Sequence, residues 1–274
     1  MRQKALDEAE EMTTKYFVVS DIHGFYSLLM EALEGQGFER DNPAHHLIVC
    51  GDAFDRGKEA VKLMNFLVEM QREGRLTYIC GNHEDLLMDM VFDLPNIVDH
   101  IEWTHHAHNG TIDTLKQLTG MTLSQIKRDP WRAQEYFFKT PFCKELLPEI
   151  VDYAEAGDCI FVHGWIPSFA HLDDFRDANN REWKEARWWN GMEMWHNKAC
   201  RIPGKTIVCG HWHCSWGNAK KAGLPPTEEN CFGSNADFSP FDAEGILAID
   251  GCVAYSGIMN CVVLEILKLK QEKN

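Results

Sequence analysis

Five short apolar runs in this chain each end on a cluster of acidic, imidazole or amide side chains. The runs are Tyr16-Phe17-Val18-Val19, Leu47-Ile48-Val49-Cys50, Leu76-Thr77-Tyr78-Ile79-Cys80, Ile160-Phe161-Val162 and Thr206-Ile207-Val208-Cys209. They are too short for buried helices and rich in β-branched residues, so they read as buried strands. The motifs that follow are Asp21-Ile22-His23, the Gly51–Gly57 stretch GDAFDRG, Gly81-Asn82-His83-Glu84, His163-Gly164-Trp165 and Gly210-His211-Trp212-His213. In open α/β sheets the carboxyl ends of the strands form the ligand-binding edge. The pattern therefore predicts one edge lined with hard-oxygen and imidazole donors, the ligand types of a two-metal hydrolytic site.

Between the first three strands the chain predicts helices over Ser27–Leu33, Lys58–Arg72 and Glu84–Val91. In the second of these Val61, Met64, Phe66, Leu67 and Met70 recur at near-helical spacing. From Leu94 to Pro148 a mostly helical segment broken by prolines reads as an inserted cap. Asp173–Trp195 forms a second, Trp-rich excursion, for which core or cap packing is the simpler reading, and Gly217–Gly233 reads as a Gly/Pro/Asn-rich loop. The segments Gly245–Asp250, Cys252–Tyr255 and Cys261–Leu267 predict antiparallel strands with a turn at Asp250-Gly251. Lys268–Asn274 is expected to be a solvated tail.

The ordered series D-x-H, GDxxDRG, GNHE, HG and GHxH resembles the calcineurin-like metallophosphoesterases. The Arg-Gly ending of the second motif and the Glu after Gly-Asn-His point to the phosphoprotein phosphatase branch, which includes bacterial protein phosphatases and symmetrical diadenosine tetraphosphate hydrolases. The resemblance implies an α/β fold, a four-layered α/β/β/α sandwich, here with a helical insertion at about 94–150 in a single domain of residues 15–268. It also implies that a strand pair after the Asp250 turn closes the second sheet.

By the same resemblance, Asp21, His23 and Asp52 serve a first metal, and Asp52, Asn82, His163 and His211 a second, with His213 an additional candidate ligand. Two divalent cations are implied, manganese foremost, with iron and zinc compatible with mixed nitrogen and oxygen ligation. A hydroxide between the ions would attack phosphorus in line. His83 would protonate the leaving group, Asp55 would orient that imidazole, and Arg56 would offer a bidentate fork to phosphate oxygens. Arg187 is the candidate for a second phosphate-binding arginine, or an arginine stacked among tryptophans. Glu84 suits the helix N-terminus that follows Asn82-His83. The bulky Trp165, where the family carries glycine, is expected to narrow the pocket.

The leading expectation is a phosphoesterase acting on phosphomonoesters, phosphoSer/Thr proteins among them. A diadenosine polyphosphate hydrolase is the alternative, and a non-catalytic binding module the remote one. Lys plus Arg of 27 against Asp plus Glu of 42 leaves a net charge of −15, which disfavours duplex nucleic acid. Bound cations would reverse the local field for a phosphorylated protein or small phosphoester. Met1–Lys15 has no signal-peptide core, and no run of about 18 apolar residues suits a membrane span. A cytoplasmic protein with reduced cysteines is expected; Cys50, Cys80, Cys159, Cys209 and Cys261 fall in or beside strand runs. Two clusters compete for metal. His100, His105, His106 and His108 read as a packed or solvated helix face, and Cys209 to Cys214 lacks the paired C-x₂-C units of a zinc knot.

Overall fold

The protein is described here by a computed structural model covering residues 14–266 and 269–270, with the N-terminal segment through Thr13, residues 267–268 and residues 271–274 outside the described residues. The first three strands, β1 (Thr14–Val19), β2 (His45–Cys50) and β3 (Leu76–Ile79), alternate with α1 (Tyr26–Gly35), α2 (Ala60–Arg72) and α3 (Asn82–Ile97). The β1–β2 and β2–β3 pairs are parallel, with Phe17 opposite Leu47 and Val49 opposite Tyr78. Alternate residues of these strands face opposite layers. Phe17, Val19, Leu47 and Val49 join the helices in one hydrophobic cluster, while Tyr16, Val18, Ile48 and Cys50 join a second cluster on the other face.

After α3 the chain stays helical through α4 (His105–Asn109), α5 (Thr111–Thr119), α6 (Leu123–Arg128) and α7 (Pro130–Phe138). Ile101, Ile112, Leu115, Ile126, Phe137 and Phe142 are all buried in the same cluster as α2 and the outer face of the first sheet. Each such side chain contributes about 1.5–3 kcal/mol by leaving water, so the segment is fastened to the core along its length. His106 is buried and His105 and His108 are exposed, a packed helix with a solvated side.

The second half forms a six-stranded sheet in the order β10-β4-β5-β6-β8-β7. Its strands are β4 (Ala154–Ala156), β5 (Cys159–Phe161), β6 (Thr206–Cys209), β7 (Phe241–Ala243), β8 (Ile246–Ala248) and β10 (Leu269–Lys270). Between them lie α8 (Asn180–Ala186), α9 (Gly191–His196), α10 (Cys214–Lys221), α11 (Glu228–Cys231) and α12 (Val253–Ser256). The inner face of this sheet, with Ala154, Phe161 and Val208, packs against the inner face of the first sheet. Its outer face, with Ile160, Ile207 and Ile246, is covered by Trp165, Trp183 and Met192. Three hydrophobic clusters thus separate four layers, the expected α/β/β/α sandwich.

The C-terminal third departs from expectation. β9 (Val262–Ile266) does not close the second sheet; it pairs antiparallel with β1, placing Val263 opposite Phe17 in a first sheet of order β3-β2-β1-β9. Val253–Ser256 is helical, and Cys252 before it adopts φ 57°, so that stretch is no strand. Leu269–Lys270, expected in a tail, pairs with β4. The presumed loop at Gly217–Gly233 carries most of α10 and all of α11. Gly217 is tolerated inside α10 because a Cβ there would collide with Met192 and Phe241, so a bare backbone lets the helix seat against them. Among the described residues no helix is long and apolar enough to cross a membrane, and all ten cysteines are free thiols.

Candidate two-metal active site

Each motif begins just beyond a strand end. Asp21 follows Val19 by two residues, Asp52 follows Cys50 by two, Asn82 follows Ile79 by three, His163 follows Phe161 by two and His211 follows Cys209 by two. Leaving the strand imposes unusual backbone geometry. Among the described residues seven non-glycine residues have positive φ, and six of them are motif residues: Asp21, His23, Asp52, Asp55, Arg56 and His211. Asp21 and His23, at φ 52° and 49°, are therefore not on an extended strand end as their spacing suggests. Conformations of this kind cost energy and persist only where the surroundings over-determine them. The motif glycines supply the close approaches: a Cβ on Gly81 would strike Asp52, and one on Gly210 would strike Ser20 and Asp21.

Two donor groups result, and they share one residue. His23, Asp52 and His83 form the first, and Asp52, His163 and His211 the second, with the donor atoms of each group within 4.8 Å of one another. Asp21 and Asn82 border them. Asp21 Oδ1 is 4.0 Å from His23 Nε2, and Asn82 Oδ1 is 2.8 Å from His163 Nε2. His83, expected as a proton donor, thus sits inside the first donor group. His213 belongs to neither group; its Nδ1 donates to Ser215 Oγ at 2.7 Å and its ring packs on Phe232.

Hydrogen bonds to one ring nitrogen fix which nitrogen is left for a ligand. His23 Nδ1 donates to the Phe54 carbonyl at 3.0 Å, and His163 Nδ1 to the Cys50 carbonyl at 2.8 Å. Both rings therefore turn Nε2 inward. Burial, with the Arg56 charge, holds His23 well below the usual imidazole range, and burial with the His163 charge pushes His211 down to about 3. Both stay neutral, the form that binds metal. Burial also lowers His163, but the Asp52 and Asp21 carboxylates override it and raise it to about 10. Burial alone would raise Asp52, yet the His163, His83 and His23 imidazoles hold it well below the carboxylate range. Asp21 is raised by burial. Asp250, read from sequence as a turn residue, is raised by burial and by Asp21 and is a further carboxylate facing this cluster. The neutral His23 and His211 imidazoles beside buried carboxylates fit divalent cations of the nitrogen/oxygen-binding type.

His83 Nδ1 donates to Asp55 Oδ2 at 2.7 Å. Burial lowers His83, but the charge of Asp52 and the Asp55 hydrogen bond raise it above the ordinary value of 6.5. Arg56 reaches across both imidazoles, with one guanidinium nitrogen 2.7 Å from His23 Nε2 and another 3.2 Å from His83 Nε2. Arg187 lies elsewhere: it is buried and ion-paired with Asp85 at 2.7 Å and with Asp152. Trp165 points into the second sheet's outer cluster and donates from Nε1 to the Cys200 carbonyl at 3.0 Å, so it does not narrow the site. Cys209 and Cys214 are buried in that same cluster and take no part in either donor group.

Several positioning contacts are not legible in the sequence. Glu84 is buried and accepts from the backbone of Asp52 at 2.9 Å, Ala53 at 3.0 Å and Gly81 at 2.8 Å, and from the Tyr78 hydroxyl at 2.7 Å. It joins the second and third motifs as well as opening α3. Thr111 and Thr114 on α5 both donate to Asp55. The GNHE motif places Glu84 in the first helical turn, as expected, but gives no sign that it reaches the Asp52 loop; nothing local marks the two threonines.

Comparison with known proteins agrees with this geometry. Residues 14–215 match the calcineurin-like phosphoesterase family. The chain is 29% identical over 157 residues to the bis(5'-nucleosyl)-tetraphosphatase PrpE [asymmetrical] of Bacillus velezensis, which covers 55% of this chain and 56% of that protein. It is 38% identical over 74 residues to serine/threonine-protein phosphatase 1 of Salmonella typhimurium, covering 27% and 31%. The matched stretch thus spans little more than half of the first relative and about a third of the second. A cold-active protein tyrosine phosphatase shares the fold at TM-score 0.52 and 16% identity, over 92% of this chain and 74% of that one. The family match spans the two donor groups and their shared Asp52 together, and the chain belongs to the calcineurin-like phosphoesterase family.

Proposed function

We propose that this protein is a dinuclear-metal-dependent phosphoesterase that hydrolyses phosphomonoesters, with phosphoSer/Thr proteins as one substrate class. The observation that carries the reading is the sharing of Asp52 between two three-residue donor groups, because a carboxylate can serve two ions through its two oxygens. Asp21, His23 and Asp52 would hold one cation, with His83 beside them, and Asp52, Asn82, His163 and His211 would hold the other. When bound, the two cations supply charge neutralisation of the phosphate and activation of the attacking water.

The remaining chemistry belongs to side chains. His83, raised above the ordinary imidazole value by the Asp52 charge and the Asp55 hydrogen bond, would donate a proton to the leaving oxygen while Asp55 steadies the ring. Its place within the first donor group gives it two candidate roles, ligand or acid, and the Asp55 hydrogen bond favours the acid. Arg56 offers parallel N–H groups to phosphoryl oxygens. A second reading, hydrolysis of dinucleoside polyphosphates, is favoured by the PrpE relative, whose match covers more of this chain than the protein phosphatase match.

Chelated protein reconstituted with Mn²⁺, Fe²⁺ or Zn²⁺ should regain turnover of p-nitrophenyl phosphate with two ions per chain. Asp52→Asn should lose both ions and the activity. Two retained ions with near-normal turnover in Asp52→Asn would overturn the reading.

A further inference from the structure

A cavity of about 780 Å³ opens directly beside the second donor group, because His211 contributes to both. Its walls are mostly rings: Trp188, Trp212, Trp216 and Phe232. These rings come from three separate stretches of chain, the α8–α9 connection, the last motif with α10, and the end of α11. Three of them remain notably exposed, Trp188 at 48%, Trp212 at 37% and Phe232 at 36%. Large apolar rings left in water around a concavity mark a ligand site more often than chance packing does.

The frame around the rings is held by polar contacts. His211 Nε2 donates to the Trp188 carbonyl at 3.2 Å, so the backbone that carries Trp188 is tied to a donor of the second group. His213 Nδ1 donates to Ser215 Oγ, and Ser215 Oγ donates to the Cys231 carbonyl, each at 2.7 Å. That chain of bonds fastens α10 to α11 under the cavity. Trp212 and Trp216 meet edge to face at 6.2 Å, and Lys220 Nζ lies 3.8 Å from the Trp216 ring centroid, which fixes that indole from outside. Glu228 and Thr227 also line the cavity and carry oxygen acceptors, the Thr227 hydroxyl accepting from the Asn230 backbone N–H at 3.4 Å as well.

We propose that this pocket is a nucleobase subsite, so that the enzyme takes nucleoside phosphates with the phosphate at the donor groups and the base among Trp188, Trp212, Trp216 and Phe232. The inference rests on the phosphoester hydrolysis proposed above. Flat aromatic walls grip a base through its π-face, and the acceptors of Glu228 and Thr227 suit an exocyclic amine. A phosphotyrosine ring offers no hydrogen-bonding edge to those acceptors and would leave much of the volume unfilled. An aliphatic phosphoserine side chain would leave all four rings in water.

The test compares wild type with Phe232→Leu and Trp212→Leu in two assays. In the first, chelated, metal-free protein is titrated with adenosine 5'-monophosphate by calorimetry. In the second, reconstituted enzyme is assayed on adenosine 5'-monophosphate, diadenosine tetraphosphate, glycerol phosphate, and phosphotyrosine and phosphoserine peptides. Loss of one stacking wall should weaken nucleotide binding and raise nucleotide KM by roughly 5- to 100-fold relative to glycerol phosphate in the same variant. Whichever of the two nucleotides is turned over should show that shift. Equal changes on all substrates, or a shift confined to the phosphotyrosine peptide, would overturn the subsite. If one variant fails to fold, the other is decisive alone, since the two rings come from different segments. Nucleotide binding that depends on the rings in a protein that hydrolyses no phosphoester would leave the subsite standing and remove the proposed function. Turnover of glycerol phosphate with indifferent rings would do the reverse.

Discussion

Thr114 Oγ1 donates a 2.7 Å hydrogen bond to Asp55 Oδ1 and accepts a 3.0 Å bond from the backbone N–H of the same aspartate, 59 residues earlier in the chain. Thr111 donates to the other carboxylate oxygen at 3.0 Å, where His83 Nδ1 also donates. The turn that delivers both threonines passes so close to Arg56 that only Gly110, at φ 83°, fits: a Cβ there would strike the Arg56 backbone. The helical segment between β3 and β4 therefore orients the His83–Asp55 pair as well as covering the sheet.

Thr114→Val keeps the shape of that side chain and removes both bonds. Asp55 then has fewer constraints, and His83 spends less time aligned. We expect kcat on glycerol phosphate to fall by about 10-fold, with a smaller loss on p-nitrophenyl phosphate, whose leaving group needs little proton assistance. Equal losses on the two substrates would assign Thr114 a role unrelated to the proton donor.

The Asp55 bond also sets the pH response. His83 lies above 6.5 because the charge of Asp52 and the Asp55 bond outweigh its burial. A raised histidine stabilises the fold fully below about 6.5, and that contribution is lost as pH rises through its folded value. The same titration removes the proton donor, so activity on poor leaving groups should fall on the basic side at a pH above 6.5. Asp55→Asn takes away one raising influence and should move that basic limb to lower pH, read from kcat against pH on glycerol phosphate. An unmoved limb would mean that His83 is not the group titrating there.

Glu84 supplies a stability test at the loop carrying Asp52. Its two oxygens accept three backbone N–H groups and one hydroxyl. Gln offers one oxygen and one NH₂, so in either orientation at least one backbone N–H faces another donor. An unsatisfied buried donor costs about 1–3 kcal/mol. Glu84→Gln should lose that much in urea unfolding, and metal stoichiometry after dialysis should drop as Asp52 loosens. Full metal retention at wild-type stability would show the loop to be held by other means.

Arg187 is expected to act as a brace. Its guanidinium joins Asp85 on α3 to Asp152 between the helical segment and β4, and the flanking charges raise it further despite burial. Removing one partner of a buried ion pair typically costs about 3–5 kcal/mol, since the remaining charges are left uncompensated. Arg187→Met should therefore lower stability on that scale while leaving the Ki for inorganic phosphate unchanged. A weakened phosphate inhibition with normal stability would return Arg187 to the substrate site.

The parts of this fold that sequence exposed are those with local causes. Buried parallel strands must be apolar on both faces, so β1, β2, β3, β5 and β6 stand out as runs, and their polar ends fall on one edge. β4, Ala-Glu-Ala, and β7, Phe-Asp-Ala, each carry a carboxylate at the centre of three residues and so leave no apolar run to read. Val253–Ser256 shows why short apolar stretches mislead, since four residues fit helix and strand periodicity equally well. Trp165 was misplaced for a related reason: its position after the histidine motif says nothing about which face its ring takes once the chain leaves the strand. The contacts of Asp55 with Thr111 and Thr114 are long-range, and hydroxyl residues in a helix are ordinarily unremarkable.

Arg56 makes the most demanding prediction because its present contacts and its proposed task use the same atoms. One guanidinium nitrogen donates to His23 Nε2 at 2.7 Å, the atom that His23 offers to a cation once its Nδ1 is bonded to Phe54. A cation and the guanidinium cannot both use that lone pair, so with the site loaded Arg56 would have to release His23, and its fork would be free for phosphate. Removing the arginine should then leave metal binding intact or tighter and weaken everything that carries phosphate. We expect Arg56→Ala to raise KM and the Ki of inorganic phosphate by 10-fold or more, on the order of a lost charge-assisted pair of hydrogen bonds, with two ions retained per chain. Arg56→Lys should recover little, because an ammonium cannot form the parallel pair of bonds. If Arg56 instead only braced the loop through its left-handed backbone at φ 64°, its alanine variant would lose metal or melting temperature at unchanged phosphate inhibition. Calorimetric phosphate titration of the metal-loaded variants, beside elemental analysis of the same samples, separates the two outcomes.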